Sequence, residues 1–126
     1  MWPDVEAELV AWMTAAIHVR HLTDLPANLA DALPLNQLQR IGGDDDGLRL
    51  DRALISVDSF AATRQAAWQL ARETRYQLLF NLRGAKTANA VFSRVATIAA
   101  PAWRPYENTA LRRVGATYEI YCHPVS

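Results

Sequence analysis

At 126 residues, with 51% hydrophobic and 21% charged side chains, the chain has the size and composition of one globular domain, which excludes a disordered polypeptide and two independent cores. Net charge is zero, so the basic excess of a nucleic-acid binder is missing. No apolar run reaches the roughly 20 residues that cross a bilayer as a helix. The N-terminus lacks the basic start and apolar stretch of a secretory leader, so a soluble protein that stays where it is made is expected. Cys122 is the only cysteine, which excludes an intrachain disulfide and suits a reducing cytoplasm.

Residues 3–19 are expected to form a first helix. Pro3 fits its first position, Asp4, Glu6 and Glu8 suit the positive end of its dipole, and Val5, Leu9, Trp12, Met13, Ala16 and Ile17 recur at helical spacing. Residues 21–34, with two prolines, read as a connector holding a short helical turn near 28–32. Residues 35–41 and 53–60 are two strands of a hairpin, joined by a mobile polar loop that contains Gly42, Gly43, Asp44, Asp45, Asp46 and Gly47. Residues 61–82 lack proline and glycine and stop before Gly84, the pattern of a long helix. Ala67, Leu70, Ala71, Thr74, Leu78 and Leu82 form its apolar stripe, with Phe60 at the start, directed at a sheet. Tyr76 and Phe80 project from the far face, where the first helix is expected to cover at least one of them. Residues 90–100 and 110–122 are two further strands, the second placing Val114, Ala116, Tyr118, Ile120 and Cys122 on one side. Pro101, Pro105 and Asn108 punctuate the loop between them, which carries Trp103, Arg104 and Tyr106. The expected fold is α+β in the order α-β-β-α-β-β: a single domain, residues 1–126, with a four-stranded, mainly antiparallel sheet packed against two helices.

Little in this chain suggests chemistry. His18 and His21 lie three apart and Cys122 adjoins His123, but structural zinc sites need close ligand pairs at both ends, and the alternation puts Cys122 on the apolar side of its strand. Asp44, Asp45 and Asp46 before Gly47 lack the alternating ligands and closing glutamate of an EF-hand loop; Arg52 stands where the glutamate belongs. No nucleophile elbow, phosphate-binding glycine loop or nucleophile–base–orienter set can be assembled. The reading is therefore no enzyme, no cofactor and no metal, with function carried by surfaces.

Charge is unevenly distributed along the chain. Through Asp58 there are ten acids against four arginines; beyond it, three acids against nine basic residues. If the fold separates these halves, neighbouring subunits could meet through complementary patches; if it mixes them, the asymmetry has no consequence. Arg72, Arg75 and Arg112 with nearby aromatics could also serve a nucleic-acid surface, although their wide spacing suits solvated arginines better.

Leu33-Pro34-Leu35 leading to Arg40-Ile41-Gly42-Gly43, then Val57-Asp58-Ser59-Phe60-Ala61-Ala62-Thr63-Arg64, Trp103-Arg104-Pro105-Tyr106-Glu107-Asn108, and the run from Arg113 to Tyr118, together with the order of elements, resemble tail terminator proteins of siphophages infecting actinobacteria. The resemblance spans nearly the whole chain, and twelve arginines to one lysine suit a GC-rich genome. It implies a structural virion protein that closes as a ring, generally a hexamer, on the head-proximal end of the tail tube. Such a ring stops tube growth and docks the head-completion (stopper) protein, while DNA passes through without specific binding. It would be assembled in the host cytoplasm and act without a membrane. Another ring protein of the same connector, a stopper or a tube subunit, is the neighbouring reading. Asp44, Asp45 and Asp46, the Tyr76 and Phe80 pair, and the Trp103, Arg104 and Tyr106 loop are the expected subunit or partner contacts.

Overall fold

A computed structural model describes residues 2–125. Helix α1 (Val5–Ala16) begins where Asp4, in extended conformation, accepts a hydrogen bond from the Ala7 N–H at 3.1 Å. It ends as Ile17 turns extended, so it is shorter at both ends than the spacing of apolar residues suggests. Glu8 is buried within it, where its carboxylate accepts from the Asn89 N–H at 2.8 Å and from the Thr87 hydroxyl at 3.2 Å. These bonds tie the first helix to the turn before the fourth strand.

The expected four-stranded, mainly antiparallel sheet is corrected by the structure to a five-stranded mixed one, in the order β1-β2-β3-β5-β4. The additional strand is β1 (Arg20–Leu22), which lies parallel to β2 (Leu35–Asp45) with Arg20 opposite Leu35 and Leu22 opposite Gln37. It falls partly in the stretch read as a connector, because three residues are too few to display a two-residue alternation. Parallel neighbours need a crossover of about a dozen residues. Residues 23–34 supply it, with a 3-10 turn at Leu29–Asp31.

β2 and β3 (Asp51–Ala61) form an antiparallel hairpin that extends through Asp45 opposite Asp51, with Ile41 bulged out between Arg40 and Gly42. Gly42, Gly43, Asp44 and Asp45 therefore belong to the ladder rather than to a mobile loop. Gly43 has a φ of +118°, and a Cβ there would run into the Arg52 carbonyl. The true turn is short. Asp46 organises it by accepting from the N–H groups of Leu48, Arg49 and Leu50 at 2.8 to 2.9 Å.

Helix α2 (Arg64–Gln77) starts at Thr63, whose hydroxyl accepts from the Ala66 N–H, and continues into a π-helical turn at Leu78–Leu82 before Gly84. The stripe of Ala67, Leu70, Ala71, Thr74, Leu78 and Leu82 is buried as its spacing requires. Phe60 is not part of that stripe. It points through the opposite face of the sheet, into a second core with Leu29, Ala32, Leu35 and Leu111. The reason is the two-residue period of β3: Val57 and Ser59 share one face and Phe60 takes the other.

Among the named strands β4 (Ala90–Trp103) pairs with β5 (Arg112–Pro124), three register shifts break that ladder, and Lys86 bridges to Val91 at its start. On β5, Val114, Ala116, Tyr118, Ile120 and Cys122 are all buried, as their alternation indicates. Both helices lie on this face of the sheet and enclose the main core around Leu9, Met13, Ile55, Phe92 and Tyr118.

The two ends of the sheet are protected differently. On the open side of β2, Glu6 accepts the Arg40 N–H at 2.8 Å. The first part of β4 is covered by the chain just before it, where the Ala85 carbonyl accepts the Phe92 N–H and Arg83 donates to the Val95 carbonyl at 3.0 Å. Residues 96–103 have no such cover, but two of the three register shifts and Pro101 lie among them.

Candidate interaction surfaces

The fold separates the charged halves of the sequence. α1 packs on β1 and β2, and α2 packs on β3, β5 and β4, so acid-rich elements fill one side of the sheet and arginine-rich elements the other. They meet along the seam between β3 and β5. There Arg52 bonds Glu119 at 2.8 Å and Arg104 bonds Asp58 at 3.1 Å, while Arg52 also reaches Asp44 of β2 at 3.3 Å.

The hairpin tip carries Asp44, Asp45 and Asp46 into solvent. The backbone N–H groups around Asp46 hold its carboxyl below the ordinary range, so it stays ionised in mildly acidic solution. Asp45 accepts from the Gly47 N–H at 2.8 Å. Arg49, the arginine of the turn, reaches back to the Pro124 carbonyl at 2.9 Å and to the His123 ring. Between them Leu48 stands 87% exposed. The sequence reading missed Leu48, because a lone leucine in a polar turn gives no periodic signal.

On α2 and its π-helical extension, Tyr76 and Phe80 are 56% and 69% exposed, with ring centroids 5.3 Å apart. The expectation that the first helix covers one of them is wrong. α1 lies over β1 and β2, beside α2 on the same face of the sheet, and leaves both rings exposed.

The Trp103, Arg104 and Tyr106 loop directs its side chains inward. Arg64 stacks over Trp103 at 4.7 Å, Tyr106 meets Phe60 edge-on at 5.3 Å, and Arg113 lies over Tyr106 at 5.1 Å. Arg104 crosses Gly115 to reach Asp58, and a side chain at Gly115 would collide with both groups. A shallow groove of about 620 Å³ runs between this loop and residues 25–31, lined by Asn28, Asp31, Glu107 and Asn108 among others.

A polar cluster that the sequence reading did not find lies inside the fold. Asn36 donates to the Thr74 hydroxyl at 2.9 Å and to the His21 ring at 3.2 Å, and it accepts from the Ser59 hydroxyl at 2.6 Å. His21 donates in turn to the Val19 carbonyl at 3.0 Å. The network pins β1, β2, β3 and α2 together with every polar atom used, and burial pushes the His21 pKa down. Ser59 bonds Asn36 rather than the imidazole and is 1% exposed, so the group is not arranged as a nucleophile and base. A possible signal was Asn36 in a strand and Thr74 within an apolar stripe.

The soft ligands are not gathered. His21 lies on β1 and Cys122 on β5, with β2 and β3 between them, and Cys122 is buried with its thiol pushed up to about 11. Among the described residues, no three His, Cys, Asp or Glu side chains are placed to hold a metal ion. Among the described residues, no helix is long and apolar enough to cross a membrane. No family model matches the chain, and no curated protein matches it at a significant level.

Proposed function

We propose that this chain is a structural subunit of a siphophage tail end: a tail terminator that closes as a ring on the head-proximal end of the tube. In that position it stops tube polymerisation and receives the head-completion protein. The observation that carries the reading is the presence of two unlike exposed apolar features on oppositely charged sides of one small domain. Leu48 sits among aspartates, and Tyr76 and Phe80 sit on an arginine-rich helix. Unlike patches on one chain favour head-to-tail contacts, which close into rings when the rotation between copies permits. The proposed place in the virion rests on the resemblance of the chain's sequence segments to tail terminators alone. In the assembled ring, the acidic side would let DNA slide past without adhering.

The test is deletion of the gene from the phage that carries it, followed by electron microscopy of the lysate. Overlong or headless tails are expected, and virions of normal length and morphology would refute the proposal. Unlimited polymerisation of the purified chain into tubes would identify a tube subunit instead.

A further inference from the structure

Strand β1 lies at the edge of the sheet and is anchored by a histidine. It runs parallel to β2 over three residue pairs, from Arg20 opposite Leu35 to Leu22 opposite Gln37, and His21 is the one buried residue of the three. Around its ring stand Asn36 of β2, Thr74 of α2 and, through Asn36, Ser59 of β3, none of which titrates. The charged groups nearby are engaged elsewhere or turned to solvent. From α1, Asp4 and Glu6 line a groove of about 330 Å³ that reaches His21 beside Leu22 and Thr23, yet Asp4 accepts the Ala7 N–H and Glu6 the Arg40 N–H. Next to Ser59, Asp58 is bound to Arg104; next to Thr74, Glu73 is exposed and Arg75 lies towards Tyr118. Arg20 on β1 and Asp24 beyond it are exposed.

We propose that β1 is a proton-operated latch: when His21 takes up a second ring proton, residues 20–22 leave β2, and the edge of β2 at Leu35–Gln37 opens while the four antiparallel strands stay folded. As placed, the ring donates to the Val19 carbonyl and accepts from the Asn36 amide, so a second proton meets a donor. Turning Asn36 to offer its oxygen instead would still leave a cation inside the fold without a bonded carboxylate. Moving β1 costs less than opening the sheet, because only three parallel pairs at an edge are lost and β2-β3-β5-β4 keeps its ladders. In the open state the ring has its ordinary affinity for protons, whereas burial lowers it in the closed state, so acid favours opening. The device goes beyond the proposed ring and stands whether or not copies assemble.

Hydrogen exchange of the full chain, followed by NMR at about pH 7 and about pH 5 and expressed as protection relative to the intrinsic rate at each pH, tests it. Protection of the amides that pair β1 with β2, within residues 20–22 and 35–37, is expected to fall about tenfold, while Ile55 and Ala116 in the central strands keep theirs. His21→Gln, checked for folding by circular dichroism, should remove the pH dependence at β1; if that variant does not fold, the wild-type exchange decides alone. Unchanged protection at β1 overturns the proposal, and so does an equal fall in every strand, which would mean global unfolding. A protonated ring with β1 still protected and the Asn36 side-chain amide resonances shifted would show that Asn36 turns instead, and the latch would be wrong. The same fall in folded His21→Gln would assign the opening to another group.

Discussion

His21 shows how one side chain links burial to pH. Its ring donates to the Val19 carbonyl and accepts from Asn36, which is possible only while it is neutral; a proton on the second nitrogen would face the Asn36 amide donors. Desolvation by burial lowers its pKa below the ordinary 6.5, and the bond to the Val19 carbonyl opposes this only in part. The unfolded chain therefore takes up a proton near pH 6.5, where the folded chain does not. Stability should be unaffected by this group above that point and fall as pH drops through the window between 6.5 and the folded value. Denaturant midpoints between about pH 7 and about pH 5 should fall more steeply for wild type than for His21→Gln. An NMR titration of the folded chain that places His21 at or above 6.5 would contradict this account.

At the scale of elements, the β2–β3 hairpin depends on its glycines unequally. Gly43 combines a φ of +118° with a close approach of the Arg52 carbonyl, whereas Gly47, at +78°, has open space around it. Gly47→Ala should cost about 1 kcal/mol, from backbone strain alone. Gly43→Ala should cost about 3 kcal/mol, because the strands must also part. Equal shifts in urea midpoint would show that the ladder tolerates the added methyl group. The same hairpin marks the limit of what the residues disclose. The α2 stripe and the β5 alternation were legible, because long amphipathic patterns are fixed by one buried face. β1 was not, since a three-residue strand has no periodicity and its parallel partner is brought to it by tertiary packing. Phe60 was assigned to the wrong face because a strand ending just before a helix has two periods in one stretch. Exposure, though not any contact, was legible for some candidate residues: the aspartates and the aromatic pair face solvent, while Trp103, Arg104 and Tyr106 have partners within the chain that sequence distance concealed.

For the whole molecule, the sheet order turns a charge asymmetry in sequence into one in space. Among the described residues, the four ion pairs join residues within the acidic side or across the β3–β5 seam, and the arginines beyond it pair with aromatic rings or backbone carbonyls where they have partners. If copies associate as proposed, the association should weaken as salt rises and the Debye length falls from about 10 Å at 0.1 M to about 3 Å at 1 M. Sedimentation equilibrium across that range reads it directly, and an association constant that rises with salt would point to an apolar interface that does not use the charges. Any folded chain must also avoid joining its neighbours through exposed strand edges. The uncovered stretch of β4 is rich in alanine and contains Ile98, 54% exposed, the kind of segment that seeds irreversible cross-β aggregates. Its broken register and Pro101 act as gatekeepers against strand-by-strand recruitment. Pro101→Val should leave the fold intact and shorten the lag before thioflavin-positive material forms on warming; an unchanged lag would mean that the bulges suffice alone.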